Sequence, residues 1–388
     1  MMKKLSVSMS ALAACVCISA AAQTVPTANG TGAAPDDWLL VKGGPAWWYR
    51  TSPSVRPVEL RKREPNPAEQ RVIDKARTLF ANRAAKAIAL MDGDTVLYSE
   101  FKAPADDDSV FHGFSMGKTV TAMGVGQAIC AGKLALATKA EEVVPELKGR
   151  ALGNATVRDL LRMASGAAEP NPDSSIWAPG QFAEWKAGTI DLLAVLTEDR
   201  VAKAGRGVFS AYKPGEHFSY KSTDPYLLGI MVSRVTGMPF SQWLQGVVLD
   251  PMGAATPGLY SQDRQKNPLA DSGLQARFDD WLRFAMWVKQ SSKAAGCFGD
   301  FVREATGTQI ANEGTTATRK VGKLFGGYGY FTWTDNTISP NTAWASGWGG
   351  QRISWHKDSD RMVVVFSNVE DWMADLYELD REWGRVGK

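Results

Sequence analysis

Apolar residues recur at two different periods along this chain, and the change of period divides it. Val72, Ile73, Ala76, Leu79 and Phe80 fall at helical steps, forming an amphipathic stripe. Asn66-Pro67-Ala68-Glu69 stands just ahead of it: a capping residue, a proline in the first turn, and an acid at the third position. The pattern then becomes strand-like. Ile88-Ala89-Leu90-Met91 and Val96-Leu97-Tyr98 flank Asp92-Gly93-Asp94, which predicts a hairpin from Ala87 to Phe101. A helix is predicted from Ser115 to about Ala131, where Gly124 and Gly126 imply close packing against a neighbour.

From about Lys139 to Val302 the pattern is one of helices joined by long loops. Val157–Met163, Leu227–Val235, Phe240–Val248 and Phe278–Val288 read as helices. Ala167–Gly188 holds three prolines and little periodicity, and reads as a loop long enough to be functional. Strand character returns at Tyr328–Thr334, Ala343–His356 and Arg361–Ser367. Lys357–Asp360 reads as a tight turn and Met373–Arg385 as a closing helix. Strands at both ends and helices between predict an α+β fold: one antiparallel sheet built from both chain ends, with a mostly helical insertion over about 139–302. The repeated strand–helix alternation of an α/β-hydrolase is missing, and no clear strand leads into Ser115.

The chain has 388 residues, 44% hydrophobic and 22% charged, ample for a large core. Met1–Ala22 reads as a secretory signal: Lys3 and Lys4, an apolar run from Leu5 to Ser19, then Ala20-Ala21-Ala22. Leu12-Ala13-Ala14-Cys15 resembles a lipoprotein box. The apolar run continues through Val16, Cys17 and Ile18, so cleavage after Ala22 is expected instead. Residues 23–50 form a leader, rich in Thr, Ala, Gly and Pro at first. Its apolar end, Trp38–Tyr49, is expected to pack on the main body rather than face substrate. Residues 51–388 form the body. No later stretch is long and apolar enough to span a membrane. Losing Lys3 and Lys4 takes two charges from a formal +3, and no basic footprint for nucleic acid remains. Of the cysteines, Cys130 and Cys297 survive processing. An exported protein could pair them, but spacing shows no proximity, and two separate buried thiols are the preferred reading. His112, His217 and His356 have no metal-ligand spacing, so neither metal nor cofactor is expected.

The candidate chemistry lies in Phe111-His112-Gly113-Phe114-Ser115-Met116-Gly117-Lys118. Ser115 and Lys118 are three apart at a helix start, hence on one face. A serine hydroxyl needs a base to become a nucleophile. Lysine can be that base, or hold it, according to what burial does to its pKa. S-x-x-K also occurs at Ser99/Lys102, Ser210/Lys213 and Ser354/Lys357, in strand-like or loop-like sequence. Ser115 is also the centre of the only G-x-S-x-G, the nucleophile elbow of α/β-hydrolases. Two readings therefore stand at one residue. In the first, Tyr220 of Tyr220-Lys221-Ser222 is the base, its phenolate favoured beside an ammonium. In the second the base is a histidine, His356 by chain order.

Several stretches in order resemble the serine β-lactamase/penicillin-binding-protein superfamily. The branch is that of class C β-lactamases, family VIII esterases and 6-aminohexanoate-dimer hydrolases. After Phe114–Lys118 come Thr156–Gly166, Pro214–Ser222 around the tyrosine, Leu227-Leu228-Gly229 with Val235-Thr236-Gly237, and Leu249–Gly253. The resemblance runs from about Ala87 to the C-terminus. It implies a β-lactamase/transpeptidase-like fold and an acyl-enzyme on Ser115. Lys118 would be the partner of Ser115, and Tyr220 the general base and acid. Trp348-Gly349-Gly350 occupies the place of the third motif, so the backbone N–H groups of Ser115 and Gln351 would form the oxyanion hole. Trp348 and Trp177 would stand at the pocket rim. Two departures matter. Ser222 replaces the usual Asn, and Trp348 the cation that grips a β-lactam carboxylate. Both favour an uncharged or differently charged small ester or amide over a β-lactam. The alternatives are a β-lactamase or D-aminopeptidase-like enzyme, and a catalytically silent sensor module.

Overall fold

The computed structural model describes residues 36–168, 176–203, 213–313 and 322–387. The proposed signal and the leader up to residue 35 lie outside the described residues, as does Ser210. The strands are β1 (Tyr49–Thr51), β2 (Arg61–Lys62), β3 (Ala85–Asp92), β4 (Thr95–Phe101), β5 (Val110–His112), β6 (Gly258–Tyr260) and β7 (Leu274–Arg277). They continue with β8 (Ile310–Ala311), β9 (Phe325–Tyr328), β10 (Trp333–Asn336), β11 (Thr342–Gly347), β12 (Gln351–His356) and β13 (Arg361–Ser367). The helices are α1 (Asp36–Leu39), α2 (Pro67–Asn82), α3 (Met116–Cys130), α4 (Ala140–Val143), α5 (Val157–Leu161), α6 (Gln181–Ala187) and α7 (Leu192–Thr197). After them come α8 (Asp199–Ala202), α9 (Thr223–Thr236), α10 (Phe240–Leu244), α11 (Phe278–Lys293), α12 (Cys297–Ala305) and α13 (Met373–Trp383).

Among the described residues the main sheet has nine strands in the order β2-β4-β3-β13-β12-β11-β10-β9-β8. It is antiparallel except where β2 meets β4. The expected union of both chain ends is the β3–β13 ladder, with Val364 opposite Ala89 and Met362 opposite Met91. β13 is buried at every position. Helices α2 and α13 pack on β3 and β13, while α3 and α11 pack on β11 to β13. Sheet strands buried on both faces must be apolar nearly throughout, which is the Val363–Phe366 run.

Helix α2 starts as its sequence dictates. The Asn66 side chain accepts from the N–H groups of Ala68 and Glu69, and the Glu69 carboxylate accepts from the Asn66 N–H. Glu69 also joins two sheet-side guanidiniums, Arg63 and Arg361, each at 2.7 Å. These bonds, led by that from Arg63, outweigh burial and hold the Glu69 carboxyl down at about 2. A carboxyl held below its ordinary value stabilises the fold above pH 4.5, and that contribution is lost as pH falls from there toward 2. Urea midpoints should therefore drop over this acid window. Glu69→Gln should lower the midpoint at pH 7 and flatten its acid dependence; an unchanged acid slope would remove Glu69 from the account.

Other expectations need correcting. Tyr328–Thr334 is not one strand: the chain turns between β9 and β10, with Phe331 at φ 54°. The turn is buried because Phe331 bonds to both neighbouring helices. Its N–H donates to Leu161 O, and its carbonyl accepts from Thr119 Oγ1. Ala167–Gly188 contains α6, with left-handed glycines, Gly180 and Gly188, at its two ends. A three-residue strand, β5, does run up to Ser115, but it belongs to a separate four-stranded sheet, β1-β6-β7-β5, whose pairings are antiparallel. Cys130 and Cys297 are not separate thiols: they form a disulfide joining the end of α3 to the start of α12. Beside it, a Cβ on Gly126 would lie 2.3 Å from the Phe301 ring, which is the close approach predicted from that glycine.

Candidate active site

Helix α3 is buried on nearly every side, so its N-terminus opens from the middle of the molecule. The chain leaves β5, turns through Phe114 in the left-handed region at φ 45°, and starts the helix after Ser115. A non-glycine there carries backbone strain. The Phe114 ring is held between His112 at 4.2 Å and Trp348 at 5.4 Å. The two glycines around Ser115 answer to packing. A Cβ on Gly113 would lie 2.3 Å from Trp281, and one on Gly117 2.8 Å from the Ser272 backbone. The G-x-S-x-G spacing thus arises without the parallel sheet of an elbow.

Lys118 Nζ donates to Ser115 Oγ at 2.8 Å and lies 5.0 Å from the centre of the Tyr220 ring. The three residues line one cavity of about 410 Å³. Tyr220 stacks on Trp333 at 5.3 Å. Its loop is tied down from below. Asp224 accepts from Ser165 Oγ at 2.6 Å, and Lys221 donates to the Ala167 carbonyl at 3.1 Å. Burial pushes the Asp224 carboxyl up to about 6, against the pull of Lys221 and Ser165.

Burial also works against the Lys118 ammonium, but Tyr220 and Asp271 outweigh it, and its pKa is raised. A raised pKa keeps Lys118 an ammonium, the form that can hold a base beside Ser115. Asp271 carried no sequence signal. Its Oδ2 lies 3.6 Å from Lys118 Nζ and accepts from Ser222 Oγ at 2.7 Å. The Ser222 hydroxyl is thus engaged by a carboxylate.

Ser222, Trp177 and Trp348 line the same cavity. Trp177 is only 7% exposed, a wall residue rather than a rim residue. Gly349, Gly350 and Gln351 do not line it. The Gln351 side chain is drawn back: its Nε2 donates to Ser367 O and Trp348 O, and its Oε1 accepts from Ser367 N. Trp348 is therefore the member of that turn bordering the cavity. Trp38 and Trp48, expected to be packing only, line it as well, with Trp185 and Phe182. Trp38 meets Trp348 edge-on at 6.1 Å.

His356 is bonded to Asp380 at the far end of β12 and is outside the cavity lining. His112 does line the cavity, but burial lowers its pKa, and its Nε2–H donates to the Ser272 carbonyl at 2.9 Å. No group of His, Cys, Asp and Glu suited to a metal occurs among the described residues.

A family model described as Beta-lactamase matches residues 75–387. The chain belongs to the beta-lactamase family. Among curated relatives, this beta-lactamase-family chain is 27% identical over 150 residues to a beta-lactamase of Providencia stuartii, covering 39% of this chain and 34% of that one. It is 24% identical over 203 residues to penicillin-binding protein 4* of Bacillus subtilis (strain 168), covering 48% of this chain and 41% of that one. The matches thus span less than half of either relative's length. Among solved structures it resembles a Bacillus anthracis protein assigned as a 6-aminohexanoate-dimer hydrolase, at TM-score 0.65 and 15% identity over 89% of this chain and 90% of that one. It also resembles EstCE1, a hydrolase with promiscuous acyltransferase activity, at TM-score 0.61 and 16% identity over 82% and 98%. At these identities the likeness is one of fold.

Proposed function

We propose that this family member is a serine hydrolase that cleaves a carboxylic ester or amide through an acyl-enzyme on Ser115. The observation that carries the reading is the 2.8 Å contact between Lys118 Nζ and Ser115 Oγ in a cavity shared with Tyr220. Tyr220 takes the Ser115 proton as Oγ attacks the carbonyl, then gives it to the leaving group as the scissile bond breaks. Water removes the acyl group by the same shuttle in reverse. The Ser115 N–H, at the head of α3, is one oxyanion donor. The second proposed donor is the Gln351 N–H, although of its turn only Trp348 lines the cavity.

The substrate proposed is an ester or amide with a largely apolar body, esterase-like or 6-aminohexanoate-oligomer-hydrolase-like in class. Trp38, Trp48, Trp177, Trp185 and Trp348 wall the cavity, and its inner cation, Lys118, is paired with Asp271. Export is also proposed. The Met1–Ala22 pattern suggests it, and the Cys130–Cys297 disulfide supports it, since disulfides persist in oxidising compartments.

A fluorophosphonate probe should label the wild type and leave Ser115→Ala unlabelled. Across p-nitrophenyl esters, linear amide oligomers and nitrocefin, kcat/KM should favour an ester or amide. Nitrocefin turnover equal to the best ester would move the protein to the β-lactamases, and a labelled Ser115→Ala would end the assignment of the nucleophile.

A further inference from the structure

Asp271 lies on the loop between β6 and β7, outside every motif that marks the site. Its carboxylate is held from two sides. Oδ2 accepts from Ser222 Oγ at 2.7 Å, and Oδ1 accepts from Ser272 Oγ at 2.6 Å. Oδ2 faces Lys118 Nζ at 3.6 Å, and the Asp271 backbone carbonyl faces the same ammonium at 3.5 Å. The Lys118 side chain is 2% exposed and that of Asp271 12%. A buried ammonium without a counter-charge would shed its proton.

The groups around Lys118 leave this task to Tyr220, once it has lost its proton, and to Asp271. Its own helix, α3, carries no other charged side chain. Tyr220 faces it from the loop before α9. On the same loop Lys221 is turned to the Ala167 carbonyl, and Asp224 is bonded to Ser165. His112, from β5, is spent on the Ser272 carbonyl. Tyr328, from β9, is kept neutral by burial. Among the described residues Asp271 is the one carboxylate in an ion pair with Lys118.

We infer that Asp271 is a positioning residue of the reaction: its carboxylate, steered by the Ser222 and Ser272 hydroxyls, pins the Lys118 ammonium between Ser115 and Tyr220. Ser222 then serves the site through Asp271. Lys118 stays a cation throughout, and Tyr220 is left as the proton carrier. The inference rests on the acyl-enzyme reading above.

The test measures how fast a fluorophosphonate labels Ser115 as a function of pH, so it needs no known substrate. Activity that requires the ammonium persists below the lysine's native pKa and is lost above it. With Tyr220 and Asp271 beside it that pKa is raised from its ordinary 10.5, so the wild-type rate should not fall up to about pH 10. Asp271→Asn should acquire an alkaline fall within that range, displaced by at least about one pH unit. Asp271→Glu, which keeps the charge, should push the fall back up. If Asp271→Asn does not fold, Asp271→Ser carries the same comparison. An Asp271→Asn that is slower but keeps the wild-type pH profile would make Asp271 merely structural and overturn the inference. A wild type unlabelled at Ser115 would instead overturn the acyl-enzyme reading beneath it.

Discussion

Tyr220→Phe is expected to lower kcat/KM by ~10²–10⁴-fold, the span of general acid–base catalysis. The substitution keeps the ring, so its stacking on Trp333 survives and the loop before α9 stays in place. What is lost is the hydroxyl that accepts and returns a proton. Lys118 is held as an ammonium, and His112 is committed to the Ser272 carbonyl. The loss should depend on the leaving group. A p-nitrophenolate departs unaided, whereas an amine must gain a proton first, so an amide should suffer more than an activated ester. His356→Ala serves as the control, since His356 is bonded to Asp380 away from the cavity. Full activity in Tyr220→Phe on both substrates would refute the assignment of the proton carrier.

Removing the disulfide is expected to cost ~2–5 kcal/mol of stability. Cys130 and Cys297 are separated by 167 positions in sequence, so the bond closes a long loop and restricts the unfolded chain strongly. It also fastens the end of α3, the helix that follows Ser115, to α12. Urea unfolding of Cys130→Ser/Cys297→Ser at pH 7 should show a lower midpoint, and a reductant should lower the wild-type midpoint comparably. Equal midpoints for all three would mean that the packing of Gly126 on Phe301 suffices without the bond.

How much of this was legible depended on whether the information was local. The Asn66 capping box, the Asp92-Gly93 hairpin and the Ser115/Lys118 spacing each lie within a few residues, and each shows in the sequence. Asp271 does not. Its neighbours Ala270 and Ser272 form no pattern, and its role comes from a loop between two strands of three and four residues. Such strands are too short to show an alternation. The Cys130–Cys297 pairing is a meeting of distant elements, which no spacing encodes. The same holds for Trp38 and Trp48, whose place in the cavity wall depends on the segment from α1 to β1 returning over the site. Tyr328–Thr334 misled differently: large and small residues alternate on either side, but the adjacent pair Tyr330-Phe331 breaks the alternation where the buried turn lies.

The pairing of β3 with β13 has a consequence for the order in which the molecule can be assembled. The β3–β4 hairpin is local and can form early, yet the partner for the other edge of β3 arrives only with Arg361–Ser367. Until then β3 presents a row of unpaired backbone groups, an edge that invites association with other chains. Contacts so distant in sequence also slow folding, because a long loop must close before the ladder rewards it. A chain halted before Arg361 would therefore not be a smaller version of this protein. It would be a half-built sheet with an apolar edge, fit for aggregation or proteolysis.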